Sequence, residues 1–217
     1  MGGRVKIARG PYAPTSDAVW LAAAAGEITR ARTVLDVGIG TGAVSLCLAT
    51  HLPDVQITGI DTAEQMLATA QQNAQMNGRD MELINADIMT WRTARTFDLV
   101  VTNPPYFRGT PAQHNAHHNA DLGQWMRKCV ARVRPRGHIC TIVDAGALAQ
   151  VITAIGPKCG DIIIYPLIGA SSRTERVIIR ARVGSHGPTQ LKLPISMGDG
   201  AILRDGLTIG RALATLG

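Results

Sequence analysis

The chain has 217 residues, of which 46% are hydrophobic and 18% charged, a composition that favours one compact domain over disorder or a coiled coil. No apolar run approaches the roughly 18 to 20 residues of a membrane helix, and the chain begins without a basic and then apolar leader, so we expect a cytoplasmic protein with no membrane partner. The net charge of +6 is uneven, because residues 1–119 carry 9 Lys and Arg against 10 Asp and Glu, whereas residues 120–217 carry 13 against 6.

The N-terminal part predicts a short helix ahead of any strand. Ser16 has the character of a helix cap, strong helix formers follow it, and Gly26 ends the run. We expect this helical segment, within residues 1–32, to cover the ligand end of the fold.

From residue 33 onward, short β-branched runs alternate with helix-like stretches, which is typical of βαβ units and a mostly parallel sheet. The predicted strands are 33–37, 55–60, 81–85, 97–102, 138–143, 161–168 and 175–183. The predicted helices are 43–51, 63–76, 122–134 and 147–155. The last two strands have no long helix between them, which favours an antiparallel hairpin at the sheet edge, and the tail 184–200 is predicted to form an irregular edge. We therefore predict a single α/β domain over residues 1–217.

The first predicted strand runs into a glycine-rich turn that opens a helix. Gly38, Gly40 and Gly42 lie in this turn, where glycine permits positive φ and lets the backbone approach a ligand closely. We predict that all three contact a cofactor. Gly38, Gly40 and Ala43 also satisfy the G-x-G-x-x-G/A pattern of dinucleotide-binding folds, so the turn alone leaves NAD open.

Acidic residues at the ends of the first three strands decide between cofactors. Asp36 precedes the first glycine, where its charge opposes a pyrophosphate but suits a sulfonium or amino cation. Asp61, with Thr62 beside it, can accept hydrogen bonds from both ribose hydroxyls. Asp87 can accept from the exocyclic amine of an adenine while Ile88 packs on the ring, although an Asp after a strand is also an ordinary turn residue. Together they predict an S-adenosylmethionine site in the crevice where open α/β sheets bind ligands.

The fourth predicted strand is followed by Asn103-Pro104-Pro105-Tyr106-Phe107. The Asn103 side chain and the Pro104 carbonyl are two acceptors that can hold the hydrogens of a planar amine and help to localise its lone pair. The two prolines fix the turn in advance, and Tyr106 offers a ring face for a flipped base. We predict Asn103, Pro104, Pro105 and Tyr106 as catalytic residues, with Asn103 also bordering the cofactor. A proline-stiffened loop with a packed tyrosine is the alternative interpretation.

With the glycine turn, this motif resembles the class I S-adenosylmethionine-dependent methyltransferases that modify planar amino groups. Residues 12–25, 104–107, 122–137 and 175–182 are similar to the bacterial tRNA(Val) adenine-N6 methyltransferase family, and the resemblance covers roughly residues 5–195. It implies a Rossmann-like, seven-stranded, mostly parallel sheet with helices on both faces and an antiparallel last strand. It also implies methyl transfer from S-adenosylmethionine to the N6 amine of an adenine in tRNA. The stretch 114–119 lacks the Arg or Glu that relatives often have.

Two alternatives stay open. A protein glutamine N5-methyltransferase would present the same planar amide to Asn103 and Pro104, although such relatives carry an N-terminal helical domain and here only about 30 residues precede the predicted sheet. The other alternative is a non-catalytic RNA-binding relative, against which the intact motifs argue.

The remaining polar residues give weaker expectations. His114, His117 and His118 lie in a polar loop with no Cys or carboxylate at ligand spacing, so we expect no metal site. The four cysteines form no CxxC pair and are expected to be reduced. We expect a monomer or a weak homodimer. Some of the basic residues are expected to follow an RNA phosphate backbone: Arg127, Lys128, Arg132, Arg134, Arg136, Arg173, Arg176, Arg180 and Arg182.

Overall fold

The computed structural model describes residues 4–8, 15–105, 122–170, 172–200, 203 and 206–211. The strands are β1 (Thr33–Val37), β2 (Gln56–Asp61), β3 (Glu82–Asn85), β4 (Phe97–Thr102), β5 (Val133–Asp144), β6 (Cys159–Ile168), β7 (Thr174–Val183), β8 (Gln190–Leu191) and β9 (Ile195–Ser196). The α-helices are α1 (Ser16–Ala25), α2 (Ala43–His51), α3 (Glu64–Met76), α4 (Leu122–Val130) and α5 (Leu148–Ile155). None of the helices in these ranges is long and apolar enough to cross a bilayer.

The described strands form one sheet in the order β3-β2-β1-β4-β5-β7-β6-β8, with β9 also paired to β6. The pairs among β1 to β5 are parallel, and β7 runs antiparallel to both β5 and β6. The predicted α/β sheet with an antiparallel last long strand is therefore confirmed. The strand number differs from seven, because two two-residue strands in the tail extend the sheet beyond β6.

The core lies on both faces of the sheet. Neighbouring strand residues point to opposite faces, and accordingly Val34 packs into a cluster with α1 and α2, whereas Leu35 packs into a second cluster with α4 and α5. Both side chains are fully buried. Helices on both faces leave the carboxyl ends of the strands as the edge at which a ligand can enter.

The predicted helix 122–134 is too long. The α-helix ends at Val130, and β5 begins at Val133, which pairs with Phe97 in β4. The sequence Pro135-Arg136-Gly137 does not end a helix but lies inside β5, where the register with β4 shifts and Arg136 has a φ of 65°. A Pro-Gly segment suits a β-bulge as well as a helix stop, and pairing with β4 decides between them.

Other boundaries differ by a few residues. Thr15, not Ser16, is the N-cap of α1, and its side chain makes no capping hydrogen bond. A 3-10 turn, Ala145–Ala147, precedes α5, and the Asp144 carboxylate accepts from the Gly146 N–H at 2.9 Å. The α1 helix packs beside α2 and against β4, β5 and β7.

Candidate active site

The carboxyl ends of neighbouring strands bring the predicted residues to one edge of the sheet. The glycine turn follows β1, Asp61 is the last residue of β2, and Asn103 directly follows β4. Val37 at the end of β1 is in register with both Ile60 and Thr102, so the three strand ends lie side by side. The sequence prediction that these residues share one edge is confirmed.

The glycine turn is hydrogen-bonded to the end of β2. Gly38, Gly40 and Gly42 all have positive φ, between 54° and 80°. At Gly40 a Cβ would meet no described atom within 4 Å, so the left-handed backbone and not lack of space favours glycine there. The Gly40 N–H donates to Asp61 Oδ2 at 2.9 Å, and the Ala63 N–H donates to Asp61 Oδ1 at 3.0 Å. A carboxylate has about four acceptor positions, so these two bonds leave room for a ribose diol.

Asp36 lies beneath the turn. The side chain is 1% exposed, and the Ser45 hydroxyl in α2 donates to its Oδ2 at 2.7 Å. Burial raises the pKa of Asp36 to about 7; the Ser45 hydrogen bond opposes the rise and the nearby Asp61 charge adds to it. A cation bound at the turn would favour the ionised form of this carboxyl.

The third acidic residue, Asp87, organises a tight turn after β3. Its Oδ1 accepts from the Met89 N–H at 2.8 Å, and its carbonyl accepts from the N–H groups of Thr90 and Trp91. The Ile88 side chain is 2% exposed and belongs to the core. Because the Ile88 side chain packs in the core, an adenine ring bound at this turn would contact the main chain of Ile88 more than its side chain.

Asn103 borders a cavity of about 240 Å³ on the β5 side of the site. Pro104 and Pro105 line the same cavity, as do Arg176 in β7, Asp17 in α1 and Asp144 in β5. Asn103 follows β4, which lies between β5 and β1, the strand that leads into the glycine turn. The predicted residues Tyr106, Phe107, His114, His117 and His118 lie outside the described residues.

Sequence reasoning missed Thr102 and Trp125. Thr102 is fully buried; its hydroxyl donates to the Val37 carbonyl at 2.9 Å and accepts from Trp125 Nε1 at 3.1 Å. A Cβ added to Gly38 would lie 3.6 Å from the Trp125 ring, so this ring lines the glycine turn. A tryptophan in the predicted helix that follows the Asn-Pro-Pro motif along the chain is a signal, but its sequence position does not show which turn it will contact.

Four of the basic residues predicted to follow a phosphate backbone make ion pairs or hydrogen bonds within the protein. Arg134 Nε lies 2.6 Å from Asp98 Oδ1, at the amino end of β4 and opposite the site. Arg132 donates to the Thr93 carbonyl and lies over the Trp91 ring. On β7, Arg176 pairs with Asp17 and Asp144, and Arg180 pairs with Glu27. Arg132, Arg134, Arg176 and Arg180 therefore have partners within the protein, and the phosphate role predicted for them stays a prediction.

The described residues include no group of three or more His, Cys, Asp or Glu arranged to hold a metal ion. The four cysteines are buried and unpaired with one another, and burial raises the pKa of Cys47 and of Cys159 to about 11. Such thiols remain protonated near neutral pH, so these cysteines act as small core side chains.

A family model described as Methyltransferase small domain matches residues 20–149. The chain belongs to this family. Among curated relatives, the chain is 37% identical over 131 residues to the tRNA1(Val) (adenine(37)-N6)-methyltransferase of Glaesserella parasuis. This match covers 54% of each protein. It is 41% identical over 76 residues to the release factor glutamine methyltransferase of Flavobacterium psychrophilum, covering 35% of this chain and 27% of that protein. The chain thus spans about half, or less, of the length of these relatives.

Several solved structures share the fold of this chain. A predicted O-methyltransferase from Agrobacterium tumefaciens superposes with a TM-score of 0.71 at 22% identity, over 88% of this chain and 96% of that one. The N-methyltransferase NodS from Bradyrhizobium japonicum, in complex with S-adenosyl-L-homocysteine, gives a TM-score of 0.60 at 20% identity, over 77% and 86% of the two chains. The Rossmann-like fold predicted from the sequence is confirmed.

Proposed function

We propose that this chain is an S-adenosylmethionine-dependent N-methyltransferase that modifies the N6 amine of an adenine in tRNA. The observation that carries the proposal is the position of Asn103, which lines the cavity at the end of β5 and follows the strand next to β1, which leads into the glycine turn. A methyl donor and a methyl acceptor have to meet, and a residue between two sites is placed to border both.

The polar groups at the strand ends fit S-adenosylmethionine better than NAD. Asp61, with Thr62 beside it, would hold the ribose, and the turn of Asp87 and Ile88 would border the adenine. The glycine turn would hold the amino acid part, with the buried Asp36 carboxyl beneath it. Carboxylates close to the turn favour a cation and oppose a pyrophosphate, which argues against a dinucleotide.

The residues after β4 would hold and orient the acceptor. The Asn103 side-chain oxygen and the Pro104 carbonyl accept the two amine hydrogens, so the nitrogen lone pair is directed away from the ring system. Pro104 and Pro105 restrict the backbone, which places the acceptors before the substrate arrives. S-adenosylmethionine would supply an electrophilic methyl group on a sulfonium, with S-adenosylhomocysteine as the leaving group, and the methylated amine would release a proton to water. No strong general base is required, because methylation makes the amine more acidic.

Two observations favour a tRNA adenine as the acceptor. The similarity to the tRNA adenine methyltransferase extends over 131 residues at 37% identity, against 122 residues at 33% identity for one release factor glutamine methyltransferase. The net charge of +6 also suits a polyanionic partner. A tRNA substrate would place the reaction in the cytoplasm. The protein glutamine methyltransferase remains the second candidate, because a shorter match has the higher identity, 41%.

Two measurements test the proposal. Titration calorimetry with S-adenosylmethionine and with NAD should show binding of the former only; binding of NAD alone would overturn the cofactor assignment. Transfer of a tritiated methyl group to bulk tRNA and to bulk protein, measured in parallel, should label the tRNA. Label in protein alone would favour the glutamine-modifying candidate, and no label in either would favour a non-catalytic RNA-binding protein.

A further inference from the structure

Residues 4–8, which we call the N-terminal strap, are bound to the end of α3 through two asparagines. Asn73 lies in α3, and Asn77 is the C-cap residue of that helix. Asn73 Oδ1 accepts from the Ala8 N–H at 2.8 Å. Asn77 Oδ1 accepts from the Lys6 N–H at 2.8 Å, and Asn77 Nδ2 donates to the Lys6 carbonyl at 2.6 Å. Because residues four positions apart share one face of a helix, the same face holds the strap at two points.

Asn73 also reaches the glycine turn. Its Nδ2 donates to the Thr41 carbonyl at 2.8 Å, and its side chain is fully buried. The Ala8 N–H can only donate and the Thr41 carbonyl can only accept, so one orientation of the amide satisfies both. Within the ranges that the structure describes, Asn77 makes no hydrogen bond to the turn. Asn73 is therefore the link between the strap and the turn.

The Asn73 hydrogen bond holds the half of the turn that lies away from β2. The other half is held through the Gly40 N–H, which donates to the last residue of β2. Thr41 and Gly42 lie next to α3, since a Cβ added to Gly42 would be 3.5 Å from the Ala70 Cβ. A ligand binds more tightly to a turn whose shape is fixed in advance. Loss of the Asn73 amide should therefore weaken ligand binding at the turn.

We propose that Asn73 is a positioning residue of the cofactor site, which holds the glycine turn and couples it to the N-terminal strap. This inference rests on the proposed function, since it takes S-adenosylmethionine as the ligand of the turn. A ligand that favours the observed turn also favours the Thr41–Asn73 bond, and with it the orientation in which Asn73 holds Ala8. Such coupling is reciprocal, so a bound strap raises the affinity for the ligand by the same factor as the ligand stabilises the strap.

The first test compares the affinities of N73A and N77A for S-adenosylmethionine. Both substitutions remove hydrogen bonds to the strap, but only N73A also removes the bond to Thr41. Titration calorimetry should give a Kd about tenfold or more higher in N73A, as expected when a buried hydrogen bond is lost. The Kd of N77A should lie within about twofold of the wild-type value. An unchanged Kd in N73A, or equal losses in the two variants, would overturn the inference.

Amide hydrogen exchange tests the coupling itself. In the wild-type protein, saturating S-adenosylmethionine should slow exchange in the peptide that covers residues 5–8 about fivefold or more. N77A should exchange faster there without ligand, and the ligand should still slow it. In N73A the ligand should leave this exchange unchanged, a loss that a purely structural role of Asn73 would not produce. Slowing by the ligand that persists in N73A, or that is absent from the wild type, would overturn the inference.

A8P breaks the same link from the side of the strap, without a change to the buried Asn73. Proline has no N–H, so Asn73 Oδ1 loses its donor, while Val5 and Ile7 still pack against the core. The Kd for S-adenosylmethionine should rise about fivefold in A8P, and this result is accessible even where N73A does not fold. A wild-type Kd in A8P would show that strap and turn are independent, which overturns the inference.

The proposed function and this inference fail in different ways. If the wild-type protein does not bind S-adenosylmethionine, the cofactor assignment is wrong, and the inference is wrong with it. If the wild-type protein binds S-adenosylmethionine and methylates tRNA, but N73A and A8P bind the cofactor equally well, the proposed function holds and only the inference is wrong.

Discussion

Trp125 donates its indole N–H to the hydroxyl of Thr102 at 3.1 Å. The same hydroxyl donates to the Val37 carbonyl at 2.9 Å, directly before the glycine turn, and Thr102 itself directly precedes Asn103. This short chain of hydrogen bonds joins α4, β4 and β1 where the proposed cofactor and acceptor sites meet. Because Thr102 is fully buried, water cannot replace the hydroxyl without local rearrangement.

Replacing Thr102 by valine should therefore destabilise the protein. T102V leaves the Val37 carbonyl and the Trp125 N–H without this partner, which typically costs about 1–3 kcal/mol of unfolding free energy. Urea denaturation followed by circular dichroism measures the change. T102S keeps the hydroxyl and is the matched control, so equal stability of T102S and T102V would show that the hydrogen bonds contribute little.

Trp125 should also report cofactor binding by fluorescence. Its ring lies against Gly38, whereas Trp20 in α1 is buried in the core, so a ligand at the glycine turn should alter the emission of Trp125 most. Titration with S-adenosylmethionine should give a saturable change that is absent in W125F and retained in W20F. Retention of the full signal in W125F would place the ligand elsewhere.

The raised pKa of Asp36 predicts a specific pH dependence of stability. Between pH 4 and about 7, Asp36 is protonated in the folded protein and ionised in the unfolded chain. The free energy of unfolding that this group contributes therefore falls as the pH rises. The stability of D36N relative to wild type should therefore increase over that range, by up to about 1.4 kcal/mol per pH unit. Denaturation of both proteins at several pH values measures it.

A difference between D36N and wild type that does not change with pH would mean that Asp36 is ionised in the folded protein throughout. Saturating S-adenosylmethionine gives a second check on the same pair of proteins. Its positive charge favours ionised Asp36, so the pH-dependent advantage of D36N should shrink when the ligand is present.

The sequence predicted the parts of the fold that depend on local patterns. Apolar periodicity identifies the strand that ends at Val37. The residue types typical of a strand-turn-helix unit identify the glycines of the turn and Asp61. Pro135-Arg136-Gly137 was ambiguous locally, because the same residues suit a helix stop and a bulge, and only pairing with Phe97 in β4 places them in β5.

The partners of charged side chains could not be predicted in the same way. Arg176 and Asp17 are separated by 159 positions in sequence, and Arg180 and Glu27 by 153. A basic strand by itself suggests a polyanion as partner, and only the tertiary structure shows that its arginines meet carboxylates of α1 and the residues just after it. Ile88 is a similar case, since a hydrophobic residue after a strand can face a ligand or the core, and only the tertiary structure shows that this side chain packs in the core.

The basic residues at the amino end of β5 should contribute little to RNA binding. Arg134 and Arg136 lie at the start of a strand of 12 residues, about 30 Å from its carboxyl end at the spacing of an extended chain. R134Q/R136Q should therefore bind tRNA with the wild-type dependence on salt in a filter-binding series. A slope lower by about two would show that both arginines contact phosphates.

The most direct test of the proposed chemistry is the identity of the methylated product. Unmodified tRNA is incubated with the enzyme and tritiated S-adenosylmethionine, digested to nucleosides and separated by chromatography. The label should appear in N6-methyladenosine, and N103A should reduce it about 100-fold or more while binding S-adenosylmethionine with nearly wild-type affinity. Label in any other nucleoside, or undiminished N6-methyladenosine with N103A, would contradict the assignment of Asn103 as the residue that holds an adenine amine.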